Sequence, residues 1–188
     1  MKKIILTVFA ATSLLLYSTP SFAISLSVGV PIGASIKGDD GSEVADGASG
    51  YFIGVQLPFG LGLGMDSHKT TLKGDNDPAV KVATSMYNLY YQLPVPVVSL
   101  ILGLGTGNSN YDCADATEGE GTLISCDAAW DKGSATQWYT SIGIPLIPLF
   151  DIHLSYRSIT SKNVKDKGGD TKQDLSGTIT GIGIAFNF

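Results

Sequence analysis

The chain has 188 residues, of which 44% are hydrophobic and only 15% are charged, and it contains 23 glycines. Its 12 basic and 17 acidic residues give a formal net charge of −5, so nucleic acid is not an expected partner. This composition, together with the lack of a persistent 3.6-residue apolar period, argues against a soluble helical enzyme.

The N-terminal segment predicts a cleaved secretory signal. Lys2 and Lys3 precede an apolar run, which is followed by small residues that end at Ala23. An uncleaved membrane anchor is the alternative, but the apolar run is shorter than the roughly 20 residues of a spanning helix. We therefore predict a signal peptide over residues 1–23 and one domain over residues 24–188. Loss of the two lysines changes the net charge from −5 to −7.

The alternation that begins directly after this segment is the strongest structural signal in the chain. Seven apolar residues occupy every second position, and every residue between them is Ser, Gly or Pro: Ile24, Leu26, Val28, Val30, Ile32, Ala34 and Ile36. A period of two over this length predicts a strand with one face in an apolar medium. The C-terminus repeats the pattern with Ile182, Ile184, Phe186 and Phe188.

Alternating segments occur eight times in all, which predicts an all-β fold, an eight-stranded antiparallel up-and-down transmembrane β-barrel. After the first strand, they lie at about residues 49–57, 61–66, 82–93, 98–105, 137–144, 150–157 and 175–188. No Gly-rich phosphate loop followed by a helix is present, and no cofactor is expected.

The connections between these segments alternate in length, which predicts the topology. Three are short and uncharged, at residues 57–60, 93–96 and 145–148. Four are longer and polar, at about residues 37–48, 72–81, 108–132 and 161–172. Short turns are typical of the periplasmic end of such barrels and longer loops of the extracellular end. An even number of strands then places both termini in the periplasm.

Outward-facing aromatic residues are predicted to form two bands, one at each membrane interface. The turn-side band comprises Phe59, Tyr91, Phe150 and Phe188, and the loop-side band comprises Tyr51, Tyr87, Trp138 and Tyr156. Scattered core aromatics of a soluble sandwich are the alternative, which is less favoured because these residues follow the predicted strand ends.

With these features in place, the region from residue 24 to 188 resembles the eight-stranded outer-membrane barrels of the OmpA/OmpX type. The last eight residues resemble the C-terminal signal by which the barrel-assembly machinery recognises its clients. Gly183, Phe186 and Phe188 match that signal, whereas Gly181 stands where it has a polar residue. The resemblance implies a monomer in the outer membrane of a Gram-negative bacterium. Outer-membrane lipid, lipopolysaccharide and, during biogenesis, the assembly machinery are its implied partners.

One pair of residues has a spacing that is found in a catalytic motif. His153 and Ser155 share a strand face, and their spacing resembles the His-x-Ser motif of the barrel-shaped lipid A deacylases. Those enzymes follow the Ser with Asn and use a downstream Glu, whereas this chain has Tyr156 and no Glu after Glu120. A Ser nucleophile needs a His that is oriented by an acceptor. We therefore expect a non-enzymatic protein and keep the lipid A-modifying hydrolase as a remote alternative.

Two further motifs lie in the polar connections. Cys113 and Cys126 fall in one polar segment of an exported chain, so we predict a disulfide between them. The acidic residues Asp39, Asp40, Asp75 and Asp77 could touch a divalent cation, but they lack the ligand spacing of a calcium loop. Solvated charge is the favoured interpretation, and no metal site is predicted.

The inward-facing ionisable residues predict a polar network in the lumen, formed by Asp66, Asp151, His153 and Arg157. A cation inside a narrow barrel is tolerated only when it is paired and hydrogen-bonded. Asp66 is the preferred partner of Arg157, since their strands lie on opposite walls, whereas Asp151 lies lower on the same strand as Arg157.

This network predicts a lumen plugged by side chains and a structural or surface-interaction role, with a surface ligand met through the loops. The alternative is a narrow channel or a carrier for a small apolar molecule. It is supported by four inward-facing apolar residues, Phe52, Met86, Ile101 and Ile179. Since an eight-stranded interior is normally just wide enough for side chains to fill it, lumen packing also accounts for them.

Overall fold

The computed structural model describes residues 24–38, 41–45, 47–72, 80–93, 95, 97–112, 130–147, 149–162, 164–165, 167–168 and 172–188. The predicted signal segment, both cysteines and the four loop aspartates named above lie outside these ranges. Among the residues described, no helix is both long and apolar enough to cross a membrane.

Eleven strands are present in the described chain, and eight of them form the wall of a closed barrel. They are β1 (Ser25–Gly38), β2 (Gly41–Val44), β3 (Gly47–Gln56), β4 (Leu61–Leu72), β5 (Val80–Leu93), β6 (Ser99–Asp112), β7 (Gly133–Ile147), β8 (Phe150–Thr160), β9 (Val164–Lys165), β10 (Lys172–Gln173) and β11 (Gly177–Asn187). The wall strands are β1, β3 to β8 and β11, each antiparallel to its neighbours.

Pairing of the first and last strands closes the barrel. β1 and β11 run from Ser25 opposite Asn187 to Ile36 opposite Gly177, with one register shift between Pro31 and Gly33. A closed barrel has no unpaired edge, so every wall strand has two hydrogen-bonding neighbours. The predicted all-β fold, an eight-stranded antiparallel barrel, is confirmed.

Alternation along the strands separates an apolar outside from a filled inside. On the outside, Leu63, Leu104 and Leu154 are 64%, 69% and 59% exposed. On the inside, the apolar Met86 is 0% exposed and the charged Arg157 is 5% exposed, so apolar and charged side chains are both buried there. A wall of this kind needs an apolar medium around it, because its exposed side chains would otherwise face water over the whole circumference.

One pair of packed aromatic rings lies at the height of each predicted aromatic band. Phe150 and Phe186 pack with ring centroids 4.7 Å apart at the turn side, and Trp138 and Tyr156 pack at 5.7 Å nearer the loop side. The short turn predicted at residues 57–60 is also present. Gly60 closes the β3–β4 turn at a positive φ of 85°, where its N–H donates to the Leu57 carbonyl at 3.0 Å.

The strands extend further toward the loop side than the alternation predicted. β4 continues to Leu72 rather than ending near residue 66, and β6 continues to Asp112 rather than residue 105. The predicted loops 37–48 and 161–172 contain the short strands β2 and β9. These extensions carry polar residues on both faces, so apolar alternation cannot reveal them even though their backbone ladders continue.

The interior is packed in three apolar layers along the barrel axis. The turn-side layer is Tyr90, Ile101 and Tyr139. The middle layer is Phe52, Met86, Ala135, Ile159 and Ile179. The loop-side layer is Ile36, Val82, Val164 and Leu175, with Tyr111 and Trp130 packed against it. The charged groups of the lumen lie among these layers, and they form the candidate site.

Candidate functional site in the barrel lumen

The centre of the site is an ion pair across the barrel axis. Arg157 Nε donates to Asp66 Oδ2 at 2.9 Å, and the two residues are 5% and 2% exposed. Asp66 is the partner that the sequence analysis preferred for Arg157. Strand order explains the contact, because three strands separate β4 from β8 in either direction around the wall. The two side chains therefore extend toward each other from opposite walls.

Further polar groups complete this pair. Gln137 Nε2 donates to Asp66 Oδ2 at 2.7 Å and also to the Oδ1 of Asn88. Arg157 Nη1 donates to the Ser155 hydroxyl, which in turn donates to the Gly181 carbonyl at 3.3 Å. We call Asp66, Asn88, Gln137, Ser155 and Arg157 the central network. Its five members come from four strands, so it ties opposite sides of the barrel together.

Aromatic rings enclose the guanidinium of the central network. Its carbon lies 3.5 Å from the ring centroid of Phe52 and 4.9 Å from that of Tyr139. Ring faces attract cations, and the attraction grows when water is excluded. The sequence analysis gave Phe52 as support for the alternative of an apolar carrier, with lumen packing as the other explanation, and in the structure its ring covers the Arg157 charge.

A second polar group lies nearer the turn side. Asp151 Oδ2 accepts a hydrogen bond from the Ser99 hydroxyl at 2.9 Å, and Gln92 Nε2 donates to that same hydroxyl at 3.3 Å. His153 Nδ1 lies 3.2 Å from the Ser141 hydroxyl, while its Nε2 is 3.9 Å from Asp151 Oδ2, beyond hydrogen-bond range. The four predicted lumen residues therefore form two groups, with Asp66 and Arg157 in one and Asp151 and His153 in the other.

His153 and Ser155 have the spacing of the His-x-Ser motif, but their side chains are not hydrogen-bonded to each other. Ser155 is engaged by Arg157 and by the Gly181 carbonyl, and the hydroxyl next to His153 belongs to Ser141 on the adjacent strand. Sequence reasoning missed Ser141 because strand register, which sets cross-strand neighbours, is not visible in residue spacing. The sequence feature that could have identified Ser141 is its place on the inward-facing side of the sixth alternating segment.

Glycines on the inner face make the room that the lumen side chains occupy. A Cβ at Gly62 would overlap the ring of Tyr90, one at Gly103 the ring of Tyr139, and one at Gly143 the ring of His153. Each of these glycines is directly opposite the large residue in the strand register. These glycines therefore act as recesses for inward rings.

A small cavity lies between the central network and the turn-side group. Its volume is about 60 Å³, and it is bordered by Asn88, Tyr90, Ser141, His153 and Arg157. A water molecule needs about 10–15 Å³ of such volume, so the cavity has room for roughly four waters. The four inward apolar residues of the carrier hypothesis, Phe52, Met86, Ile101 and Ile179, are all at most 8% exposed.

The loop-side mouth of the lumen is covered by the loop-side layer. Val164 is completely buried and Leu175 is 5% exposed, although both lie between the last two wall strands. Val164 is held by the β9–β10 pair, and the backbone N–H of Asp131 donates to the Lys165 carbonyl at 2.9 Å. Sequence reasoning placed Val164 in a polar loop, since a single apolar residue among charges gives no periodic signal.

The residues of the predicted assembly signal lie at the turn-side end of β11. Phe186 packs on Phe150, and Phe188 is 76% exposed. The N–H of Phe188 donates to the carbonyl of Ile24 at 2.9 Å, so the two ends of the barrel domain meet. Within the described ranges, no group of three His, Cys, Asp or Glu residues is close enough to hold a metal ion.

Comparison with known proteins identifies the fold. No family model matches the chain, and no curated protein matches it in sequence. Among solved structures, Neisserial surface protein A superposes with a TM-score of 0.64 at 13% identity, covering 89% of this chain and 98% of that one. AlkL superposes with a TM-score of 0.53 at 12% identity, covering 91% and 92%.

A third structure is OprG from Pseudomonas aeruginosa, with a TM-score of 0.51 at 12% identity over 90% of this chain and 97% of that one. All of these are similar in fold and remote in sequence, so they identify architecture and not activity. The chain thus has the fold of the small eight-stranded outer-membrane β-barrels, the class that its sequence resembles.

Proposed function

We propose that this protein is a monomeric, non-enzymatic barrel of the Gram-negative outer membrane, with a closed lumen and a structural or surface-interaction role. The loop side faces outward and both termini face the periplasm. Support for this location comes from the apolar outer wall and from the fold shared with outer-membrane barrels. The asymmetry between short uncharged turns and longer polar connections supports the orientation.

The observation that carries the proposal is the packing of lumen side chains at two levels. The central network fills the middle of the barrel with paired charges, and the loop-side layer covers the mouth with apolar side chains. A conducted ion would have to separate Arg157 from Asp66 and then pass an apolar constriction. Both steps are unfavourable, since the first breaks a buried ion pair and the second removes water from the ion.

The names of two proteins with a similar fold are consistent with a role at the cell surface. One is Neisserial surface protein A, and another is Ail, the attachment invasion locus protein of Yersinia pestis, solved in complex with the heparin analogue sucrose octasulfate. The second superposes with a TM-score of 0.52 at 17% identity. For this chain, the same kind of role is proposed for the loop side, and the packed side chains of the described lumen support that choice over transport.

A carrier for a small apolar molecule remains the second candidate, favoured only by the apolar inner layers. A cavity of roughly 150 Å³ is needed to hold a molecule the size of benzene. The lumen cavity of about 60 Å³ is much smaller, and polar groups such as Asn88, Ser141 and Arg157 form part of its lining. An apolar guest would therefore have to displace side chains of the central network.

The proposal is tested by swelling of liposomes that contain the purified protein. In isotonic glycine or arabinose, these liposomes should swell no faster than liposomes without protein. Swelling that becomes slower as the solute becomes larger would contradict the closed lumen. Saturable binding of toluene, detected by NMR through contacts with the Met86 methyl group, would replace the proposal with the apolar carrier.

Orientation is tested with peptide tags in intact cells. A tag inserted in the connection between β6 and β7 should be labelled by an antibody added from outside. The matched control is the same tag placed after Ala23, which should be labelled only in permeabilised cells. The reverse result would invert the proposed topology.

A further inference from the structure

One sector of the outer wall differs from the rest on its loop side. Hydroxyl groups replace apolar side chains there, on three adjacent strands: Ser35 on β1, Thr178 and Thr180 on β11, and Ser158 and Thr160 on β8. Four of these residues, Ser35, Thr178, Ser158 and Thr160, border a groove of about 460 Å³, whose rim includes Lys37, Lys162 and Asp174. We call this feature the hydroxyl groove.

Strand register explains why the wall is recessed at this place. Ser35, Thr178 and Ser158 lie side by side in one row across β1, β11 and β8, and the next residue in that row is Trp138 on β7. Three small side chains beside a large ring leave a hollow. A second depression of about 340 Å³ continues the groove past Ser158 and Thr160 to Leu104 and Trp138.

The groove lies at the height of the membrane interface. Along β8, Ser158 and Thr160 follow directly after Tyr156, which belongs to the loop-side aromatic band. Phe150 begins the same strand in the turn-side band. The ten-residue step from Phe150 to Thr160 rises about 25 Å along the membrane normal at a typical strand tilt, which matches the height of the apolar band. Groups beyond this height lie among lipid head groups.

The rim of the groove carries two basic groups. Lys37 and Lys162 are exposed, and neither forms an ion pair with any residue that the structure describes. Lys69, on another wall strand, is instead paired with Asp112 at 2.6 Å. In a chain with a net charge of −5, two unpaired lysines beside the same groove form a local site for an anion.

Asp174 is ionised and offsets one of these two charges, so the rim keeps a net positive charge of one. Its carboxylate also helps to hold the rim. Its Oδ1 accepts a hydrogen bond from the Ser176 N–H at 2.9 Å, and the Ser176 hydroxyl accepts one from the Ser161 N–H at 3.0 Å. Burial alone would raise the pKa of Asp174. The hydrogen bonds from Ser176 and the charges of Lys37 and Lys162 outweigh burial and lower that pKa.

We propose that the hydroxyl groove binds the phosphorylated sugar head group of lipopolysaccharide. The two ammonium groups bind phosphate, and an acyl chain lies in the second depression against Leu104 and Trp138. Ser158 and Thr160 donate to sugar and phosphate oxygens, as does the one hydroxyl hydrogen that the 2.7 Å hydrogen bond between Ser35 and Thr178 leaves available. The phosphate chemistry rests on the groove itself. The choice of lipopolysaccharide rests on the proposed function, which places the loop side in the outer leaflet, where that lipid is found.

The test compares binding of three probes to the full barrel domain in detergent: lipopolysaccharide, phosphatidylglycerol and inorganic phosphate. The double variant Lys37→Gln/Lys162→Gln should bind lipopolysaccharide about thirtyfold more weakly, since each basic charge near an anionic membrane surface contributes about a factor of five. Lys69→Gln removes one positive charge of the same kind, at a residue already paired on another strand. Its binding should stay within about twofold of the wild-type value.

A second pair of variants tests the shape of the groove without changing its charge. Ser158→Phe should block the hollow and weaken binding, whereas Thr106→Phe, on the outward face of β6, should not. Equal loss in Lys69→Gln and the double variant would overturn the site. Lysine-dependent binding of phosphatidylglycerol or inorganic phosphate as tight as that of lipopolysaccharide would overturn the assigned lipid. Liposome swelling tests lumen closure independently of either result.

Discussion

The ion pair between Arg157 and Asp66 allows a quantitative test through a double-mutant cycle. The variants are Arg157→Met, Asp66→Leu and the combination of both, each chosen to keep side-chain volume while removing charge. Arg157→Met leaves the Asp66 carboxylate with only Gln137 as a donor. Asp66→Leu leaves the guanidinium with the Ser155 hydroxyl and the aromatic faces of Phe52 and Tyr139.

The expected magnitude follows from burial. Both residues are at most 5% exposed, and Arg157 Nε lies 2.9 Å from Asp66 Oδ2. Removal of one partner of a buried pair typically costs about 3–5 kcal/mol of unfolding free energy, because the other charge stays buried without compensation. Removal of both eliminates that uncompensated charge. We therefore expect the double variant to lose less stability than either single variant, with a coupling energy of at least about 3 kcal/mol.

The unfolding free energy is measured by urea titration in lipid vesicles, followed by the different gel mobilities of folded and unfolded protein in unboiled samples. A parallel cycle on Lys69 and Asp112 is the control, since Lys69 has 54% of its side chain exposed. Its coupling should be at most about 1 kcal/mol. Additive effects at Arg157 and Asp66, with coupling no larger than in the control, would refute the view that this pair holds the lumen together.

Three further predictions concern packing, assembly and the connections. Gly103→Val should destabilise the barrel by about 1–3 kcal/mol, because its side chain would collide with Tyr139, whereas Gly47→Ala, with open space around it, should be neutral within about 0.5 kcal/mol in the same urea titration. Deletion of Phe188 should cause periplasmic accumulation and proteolysis, visible as loss of the folded gel band; a normal folded band would count against the assembly signal. Cys113 and Cys126 should show no free thiol in protein extracted without reductant, and the bridge should stabilise its loop by roughly 3 kcal/mol; thiols that titrate freely would exclude it.

Much of the barrel could be predicted from the sequence because a two-residue period describes both faces of a strand at once. Leu63 is exposed and Met86 is buried because the odd-numbered residues of both β4 and β5 face outward, whereas the even-numbered residues face the lumen. The approximate location of Arg157 and Asp66 on opposite walls followed from strand order alone. That contact required no knowledge of register, because the long side chain of Arg157 can tolerate an error of one residue pair along the axis.

Other parts of the site could not be predicted, because residue spacing does not show which residues of neighbouring strands lie opposite each other or how a connection folds back. The neighbour of His153 is Ser141, which lies opposite Ser155 in the β7–β8 register, so its approach depends on the pairing of two strands. Val164 covers the lumen from a connection that is otherwise polar, and its burial depends on how that connection folds back. The hydroxyl groove also arises from a row across three strands, which no single segment reveals.

The closed lumen is tested most directly by single-channel recording of the wild-type protein in a planar bilayer. The paired charges of Arg157 and Asp66, together with the buried Val164 above them, predict a baseline without steady conductance steps. Arg157→Met, measured under the same conditions, shows whether the pair is the obstruction, since its loss should permit brief openings. Large, steady steps in the wild type would contradict the account and establish a channel in its place.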